Sequence, residues 1–298
     1  MTETKFRNLF MGLPPVRPIG FGAMQLTGDR VWGPYPDRAR GVELLRSLLD
    51  EGVNFIDTAD VYGPHSNEEL IRDALYPYEE DLIIATKGGF VRGGPDYSTL
   101  GWVGNPKYLR QSLMMSLRRL RLESMPLYYL HSGYATDAPF ADQIGELEAM
   151  REEGLIQHIG LSNVTAEQFL EAREIAPISA VTALYNVGNR SGAALLRAAE
   201  EVGTVFSPWH PVSLADGGDN AATVLSVLSS IAAQHDVSAQ QVALAWLLQR
   251  SATMLPIPGT TDVQHLRDNV ASGKLELDRE QIERITDLAP DPGILPHA

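Results

Sequence analysis

A single (β/α)8 barrel covering residues 1–298 is the fold this sequence predicts. Three observations predict it. Short apolar runs and longer helical segments alternate about eight times, the order that a parallel sheet wrapped in helices requires. The apolar runs are near-continuous rather than interleaved with polar residues, as in strands covered on both faces. No Pro/Gly-rich or low-complexity stretch divides the chain.

Taken in order, the strand candidates are "RPIGFGAM" (17–24), "NFIDTAD" (54–60), "LIIATKGG" (82–89), "LYYLHS" (127–132), "HIGLSN" (158–163), "AVTALYN" (180–186), "TVFSPW" (204–209) and "MLPIPG" (254–259). The helices between them carry their own boundary signals. Val42, Leu45 and Leu49 mark the expected inner face of the first long helix. Asn105 before Pro106 is an N-cap followed by proline at the first helical position, and Leu109, Leu113, Leu117 and Leu120 then make one apolar stripe. Thr165 with Gln168, and Ser238 with Gln241, read as capping boxes. The segments 221–234 and 241–250 are two successive helices, one of them an addition to the repeat. An open doubly wound sheet is the competing architecture. It wants a glycine-rich turn running straight into a helix, whereas "GFGAMQ" (20–25) has only two glycines and no helical pattern begins at Met24.

Composition narrows the function. Hydrophobic residues make up 44% and charged residues 21%, ample for a core. There is no apolar run of about 18 residues, so no membrane span is expected. The first twenty residues lack an apolar leader segment, and the chain has no cysteine. Thiolate chemistry, disulfides and cysteine-ligated zinc are therefore out, and a cytoplasmic location is expected. A net charge of −14, from 38 acidic against 24 basic residues, argues against a nucleic-acid partner, which needs a basic face. The seven histidines show no metal-ligand spacing, so no metal is expected.

Active sites of such barrels lie at the C-terminal ends of the strands. Here those ends are chemically unusual. The second strand stops at Asp57, with Tyr62 in the loop beyond; the third stops at Lys87 and the fourth at His131. Each has a plainer reading alone: a helix cap, a lysine stretched along the surface, a structural histidine, a loop-packing tyrosine. Three successive strand ends aimed at one mouth favour a joint role. A phenol, with an unperturbed pKa of about 10, becomes a useful acid when a neighbouring ammonium favours its phenolate. Lys87 supplies that charge, Asp57 holds Lys87 in place, and His131 hydrogen-bonds a substrate oxygen beside Tyr62. Such a site protonates a carbonyl oxygen as charge develops on it. The accompanying hydride comes from no side chain, so a nicotinamide cofactor is implied. Its phosphates are expected near the eighth strand, where Gly259 permits close backbone approach and Thr260, Thr261, His265, Arg267 and Asn269 follow around the next helix start. The plainer reading of that segment is an ordinary capped helix.

"DTADVYG", "ATKGG", "LHS", "IGLSN", "FSPW" and "IPGTTDVQHLRDN", in this order, resemble the aldo-keto reductase superfamily, over roughly Arg17 to Leu288. The resemblance implies a barrel binding NADPH (NADP+) across its mouth and a tetrad of Asp57, Tyr62, Lys87 and His131 with Tyr62 as proton donor. It further implies cofactor contacts from Gly22, Ala23 and Met24, from Ser162 and Asn163 to the nicotinamide carboxamide, and from Phe206, Ser207, Pro208 and Trp209, with Phe206 against the nicotinamide ring. The 259–269 segment matches the adenosine-phosphate grip. Two positions depart from the pattern: Thr182-Ala183 stands where Gln-Asn is usual, and Pro126 where an Asp is common. "FGAMQL", "YGPH", "ALYPY", "HIGLSNVT" and "QVALAWLLQRS" look like the bacterial pyridoxal reductase branch, which suggests a pyridoxal-like aldehyde. Trp32, Trp102, Tyr134 and Trp209 are expected around the mouth as an aromatic pocket for a flat ring or a sugar-like carbonyl.

The leading expectation is an NADPH-dependent carbonyl reductase acting on a small molecule. A second is a redox-sensing regulatory module that binds NADP(H) with little turnover, as the related β subunits of potassium channels do. A third, a Schiff-base lyase built on Lys87, leaves Tyr62 and the phosphate grip without a linked purpose.

Overall fold

The computed structural model describes residues 6–289. Seven parallel strands form one sheet: β1 (Phe21–Gly22), β2 (Phe55–Asp57), β3 (Ile83–Gly88), β6 (Met125–Leu130), β7 (Ile156–Ser162), β8 (Ile178–Leu184) and β9 (Val205–Trp209), hydrogen-bonded in that order. The missing pair, β4 (Phe90–Arg92) and β5 (Leu100–Trp102), is an antiparallel hairpin inserted after β3.

The predicted eighth strand is present in place but not in regular form. Residues 254–258 lie between β9 and β1. Leu255 N donates to Phe206 O (2.9 Å), Phe206 N to Thr253 O (3.0 Å), Gly20 N to Pro256 O (2.9 Å) and Gly22 N to Pro258 O (3.2 Å). Pro256 and Pro258 have no N–H, so the seam towards β1 runs one way, from glycine donors to proline carbonyls. The (β/α)8 barrel closes across this seam.

Helices follow the strands: α1 (Arg38–Asp50), α2 (Ser66–Leu75), α3 (Pro106–Leu120), α4 (Phe140–Glu152), α5 (Ala166–Arg173), α6 (Ala193–Val202), then α7 (Ala221–His235) with α8 (Ala239–Arg250), and α9 (Val263–Ala271) with α10 (Arg279–Thr286). The Asn105 cap and both capping boxes form as expected. The leucine stripe of α3 is buried throughout. On α1 the buried face is Gly41, Leu44, Leu45 and Leu48, so the expected Val42 and Leu49 sit on its margin. Gly41 turns that face inward because a Cβ there would stand 3.0 Å from Tyr35 and 3.1 Å from Leu70.

Parallel strands with two covered faces yield two cores. One lies between sheet and helices; the other fills the barrel with Phe55, Ile83, Ala85, Leu127, Tyr129, Ala180, Val205, Leu255 and Ile257. The chain before β1 plugs the barrel floor, where Phe10 stacks on Phe55 (centroids 6.0 Å apart) and Val16 is fully buried. That plug, and the β4–β5 hairpin, were not foreseen. Among the described residues no helix is long and apolar enough to cross a membrane.

Candidate active site

At the C-terminal rim of the sheet, a cavity of about 510 Å³ collects the polar strand ends. Asp57, Tyr62, Lys87 and His131 all line it. The register explains their meeting: β1–β2 pairing sets Gly22 beside Asp57, and β3–β6 pairing sets Lys87 beside Tyr129, two residues before His131.

Lys87 and Asp57 form a buried ion pair, and Lys87 Nζ also donates to Thr58 O (2.8 Å). Burial opposes the ammonium, but the Asp57 charge and Tyr62 outweigh it and raise the Lys87 pKa. Burial likewise lifts Asp57, with Lys87 pulling the other way. Lys87 Nζ stands 5.2 Å from the Tyr62 ring centroid.

Tyr62 shows a balance that the sequence does not. Lys87 favours the phenolate as expected, yet burial is the larger effect and Asp57 adds to it, so the phenol's pKa is raised. The residue therefore stays protonated, a loaded acid rather than a part-ionised one. His131 lies edge-on to Tyr62 (centroids 6.1 Å, 74°) and stacks on Phe90 of the hairpin (4.1 Å, 10°). Its proton affinity falls well below the usual imidazole range, through burial first and Lys87 second. A neutral ring results, with Nδ1 buried and without a partner among the described residues.

The Tyr62 loop is held from behind by residues that sequence reasoning missed. Asn67 Nδ2 donates to Ala23 O (2.9 Å) and Leu26 O (2.8 Å), while its Oδ1 accepts from Thr58 Oγ1 (2.6 Å). One side chain thus ties the turn after β1 to the loop after β2. Next to it Glu68, fully buried, accepts from Thr86 Oγ1 (2.6 Å) and pairs with Arg119 (2.5 Å). Asp60 is also buried: Oδ2 accepts from Ser112 Oγ (2.6 Å) and Oδ1 has no partner among the described residues. Extending the apolar stripe Leu70, Ile71, Ala74, Leu75 of α2 back one turn lands on Asn67 and Glu68, a signal that was available.

The expected cofactor residues divide. Gly22, Met24, Ser162, Asn163, Trp209 and Gly259 line the main cavity, with Thr182 among them. Ala23 is buried in the turn beneath. Thr260, His265 and Asn269 line an adjoining depression of about 230 Å³, which shares Gly259 and Val212 with the cavity. Thr261 lies to the other side, with Asp262 and Arg40. Arg267 lines neither and instead bridges Glu51 (2.8 Å). The start of α9 is not open to a phosphate as expected, because Asp262 Oδ1 accepts from Gln264 N (2.8 Å) and His265 N (3.1 Å).

Phe206 stands corrected. Side chains of a strand alternate, and Val205, Ser207 and Trp209 take the barrel side. Phe206 is 0% exposed in the outer core, edge-on to Tyr185 (5.9 Å). Ser207 and Pro208 are buried below the cavity and do not line it. Trp209 is the residue of this strand that lines the mouth, and its Nε1–H is buried without a partner among the described residues. Of the expected substrate aromatics, Trp102 (49% exposed) and Tyr134 (58% exposed) meet edge to face at 5.9 Å, and Trp32 sits 5.4 Å from the Arg92 guanidinium. None of the three lines the cavity.

Gly22 and Gly259 make a cradle that only glycine allows. A Cβ on Gly22 would fall 2.6 Å from Ile257 O, and one on Gly259 2.7 Å from Gly22 O. With the unpartnered Trp209 N–H, the Ser162–Asn163 end of β7 and the adjoining depression, the donor set fits an extended dinucleotide. Among the described residues no cluster of metal-ligating side chains occurs.

Residues 18–290 match the profile of the aldo/keto reductase family. The chain is 43% identical over 272 residues to an uncharacterized oxidoreductase of Schizosaccharomyces pombe, covering 91% of this chain and 86% of that one. It is 41% identical over 280 residues to a pyridoxine 4-dehydrogenase of Escherichia coli, covering 92% and 96%. A solved aldo-keto reductase from Klebsiella pneumoniae, in complex with NADPH, superposes with a TM-score of 0.78 at 23% identity and 93% coverage of both chains.

Proposed function

The chain belongs to the aldo/keto reductase family, and from that premise we propose that it is an NADPH-dependent reductase of small aldehydes, with Tyr62 as the general acid. The observation that carries this reading is the buried Asp57–Lys87 pair set in one cavity with Tyr62, whose ring centroid is 5.2 Å from Lys87 Nζ, and His131.

NADPH, when bound, supplies the hydride for the carbonyl carbon. Gly22 and Gly259 would admit its backbone-hugging course, Ser162, Asn163 and Trp209 would face its nicotinamide end, and Thr260, His265 and Asn269 its adenosine end. Everything else falls to the protein. Tyr62 gives its proton to the carbonyl oxygen, and the Lys87 ammonium holds the phenolate left behind. Asp57 fixes Lys87 and keeps it charged. His131, uncharged, orients the carbonyl oxygen by a hydrogen bond without competing as an acid. Burial excludes water, which strengthens each of these interactions. The phenolate then recovers a proton from solvent.

The E. coli pyridoxine 4-dehydrogenase relative supports a heteroaromatic aldehyde of the pyridoxal type, and Trp209 gives the cavity a flat apolar wall. The NADPH-bound Klebsiella structure of the same fold supports the cofactor. A cytoplasmic location, expected from the cysteine-free composition, is part of the same proposal. The test is NADPH oxidation against pyridoxal, 4-nitrobenzaldehyde and several keto-sugars, in wild type and Tyr62→Phe. Turnover that falls roughly 10²-fold or more in Tyr62→Phe, with NADPH still bound, is expected for a lost general acid. Near-normal kcat in that variant sinks the proton-donor role; tight NADPH binding with no turnover of any carbonyl points to the redox-sensing module instead.

A further inference from the structure

Among the described residues, Asp57 Oδ2, Tyr129 Oη and Ser207 Oγ are buried without a well-formed hydrogen bond, although the Tyr129 and Ser207 hydroxyls stand close enough to interact. Buried polar atoms are almost always satisfied, so three in one compartment call for a physical account. Their placement is set by the sheet. Tyr129 is the register partner of Lys87 across β3–β6, and neighbours in register project to the same side. Lys87 Nζ accordingly stands 5.8 Å from the Tyr129 ring centroid. Ser207 lies two residues before Trp209 on the inward side of β9, facing the Tyr129 hydroxyl. The Asp57 charge acts on that hydroxyl as well.

The space for the ring is built. Gly160, opposite Tyr129 across β6–β7, carries no Cβ, and any side chain there would run into the Tyr129 ring. An unsatisfied tyrosine hydroxyl carries a desolvation cost that a phenylalanine in the same place lacks, and nothing in packing alone asks for it.

We propose that Tyr129, seconded by Ser207, is a positioning residue for the catalytic pair: its hydroxyl reaches Asp57 Oδ2 from inside the barrel through one water, and so fixes the carboxylate that holds Lys87. This role rests on the reading of Asp57 and Lys87 as the pair that serves Tyr62. Lys87 from β3 pairs with Asp57, and the Asp57 charge acts on Tyr62 from the loop after β2 and on Tyr129 from β6. Lys87 takes one carboxylate oxygen, and the water held by Tyr129 takes the other. Donation to a carboxylate favours its ionised form, so losing the donor makes Asp57 easier to protonate and Lys87 less firmly held.

Infrared titration of the Asp57 carboxyl, assigned by its loss in Asp57→Asn, tests this without needing turnover. In Tyr129→Phe, which keeps the ring, the titration midpoint should rise by about one pH unit, the equivalent of a roughly tenfold weaker hold on the charge. Ser207→Ala should move it the same way by less, and the double variant no further than Tyr129→Phe alone. The acid limb of kcat should follow the midpoint while KM for the aldehyde stays put. An unmoved midpoint in both single variants overturns the proposal. So does a uniform fall in kcat with an unmoved midpoint, which makes Tyr129 a packing residue. If Tyr129→Phe does not fold, Ser207→Ala carries the same reading. If wild type reduces no carbonyl, the infrared result still decides the role of Tyr129, and it is the proposed function that fails.

Discussion

Replacing Asp60 by Asn isolates one buried charge behind the active-site loop. Asp60 is 3% exposed, and burial lifts its carboxyl from 3.8 to about 7, against the opposing hydrogen bond from Ser112. The charges around it are Glu68, which raises it further, and Arg119, which lowers it. Because the folded pKa is the higher one, the native state holds a proton that the unfolded chain has released, and stability falls as pH rises between the two values. The favourable contribution is whole below pH 3.8 and is lost as pH passes about 7. At about 1.4 kcal/mol per unit, the climb from about pH 5.5 to 7 removes about 2 kcal/mol. Asn cannot ionise, yet its amide oxygen still accepts from Ser112. Urea unfolding of both proteins at about pH 5.5 and pH 7.5 should therefore show Asp60→Asn gaining about 2 kcal/mol on wild type over that interval. Thermal unfolding should show the same gain as about 4 °C in Tm. Parallel pH profiles for the two proteins would mean that Asp60 is ionised in the native state, and the burial argument would be wrong.

Lys87→Met leaves Asp57 buried without its counter-charge; turnover should fall at least as far as in Tyr62→Phe, and infrared spectra should show Asp57 protonated at neutral pH. Asn67→Ala cuts three hydrogen bonds that join two site loops, so it should cost about 2–3 kcal/mol in unfolding experiments and lower kcat more than the stability loss alone explains. Trp209→Phe removes an unpartnered N–H from the cavity wall. It should weaken NADPH binding several-fold and remove much of the quenching of protein fluorescence on titration with the cofactor, with little change in Tm.

How far the site could be read beforehand differs by residue, for physical reasons. Asp57, Lys87 and His131 were legible because a charged side chain ending an apolar strand has few places to go except the barrel mouth. The face of Phe206 was not. "FSPW" offers an aromatic at two positions of opposite parity, and only the register with β8 shows that Ser207 and Trp209 share the inner side. The eighth strand was found by its apolar run, while its prolines kept it from the regular ladder. Glu68 and Asp60 were not singled out, since burying them depends on Arg119 and Ser112 from α3, some fifty residues on. Of the expected aromatics Trp209 lines the cavity, while Trp102 belongs to a hairpin too short and mixed in polarity to announce itself.

The one-way seam between the prolines and β1 has a mechanical consequence. The first and last strands of the barrel are held there by two glycine donors, and β1 is two residues long. Gly22 and Gly259 stand on opposite sides of that seam and face the same cavity. Any ligand lying across both is a clasp between the two ends of the sheet. Filling the site braces a seam that is already closed, and the amides of Gly20 and Gly22 are where a slowing of hydrogen exchange on ligand binding should register first.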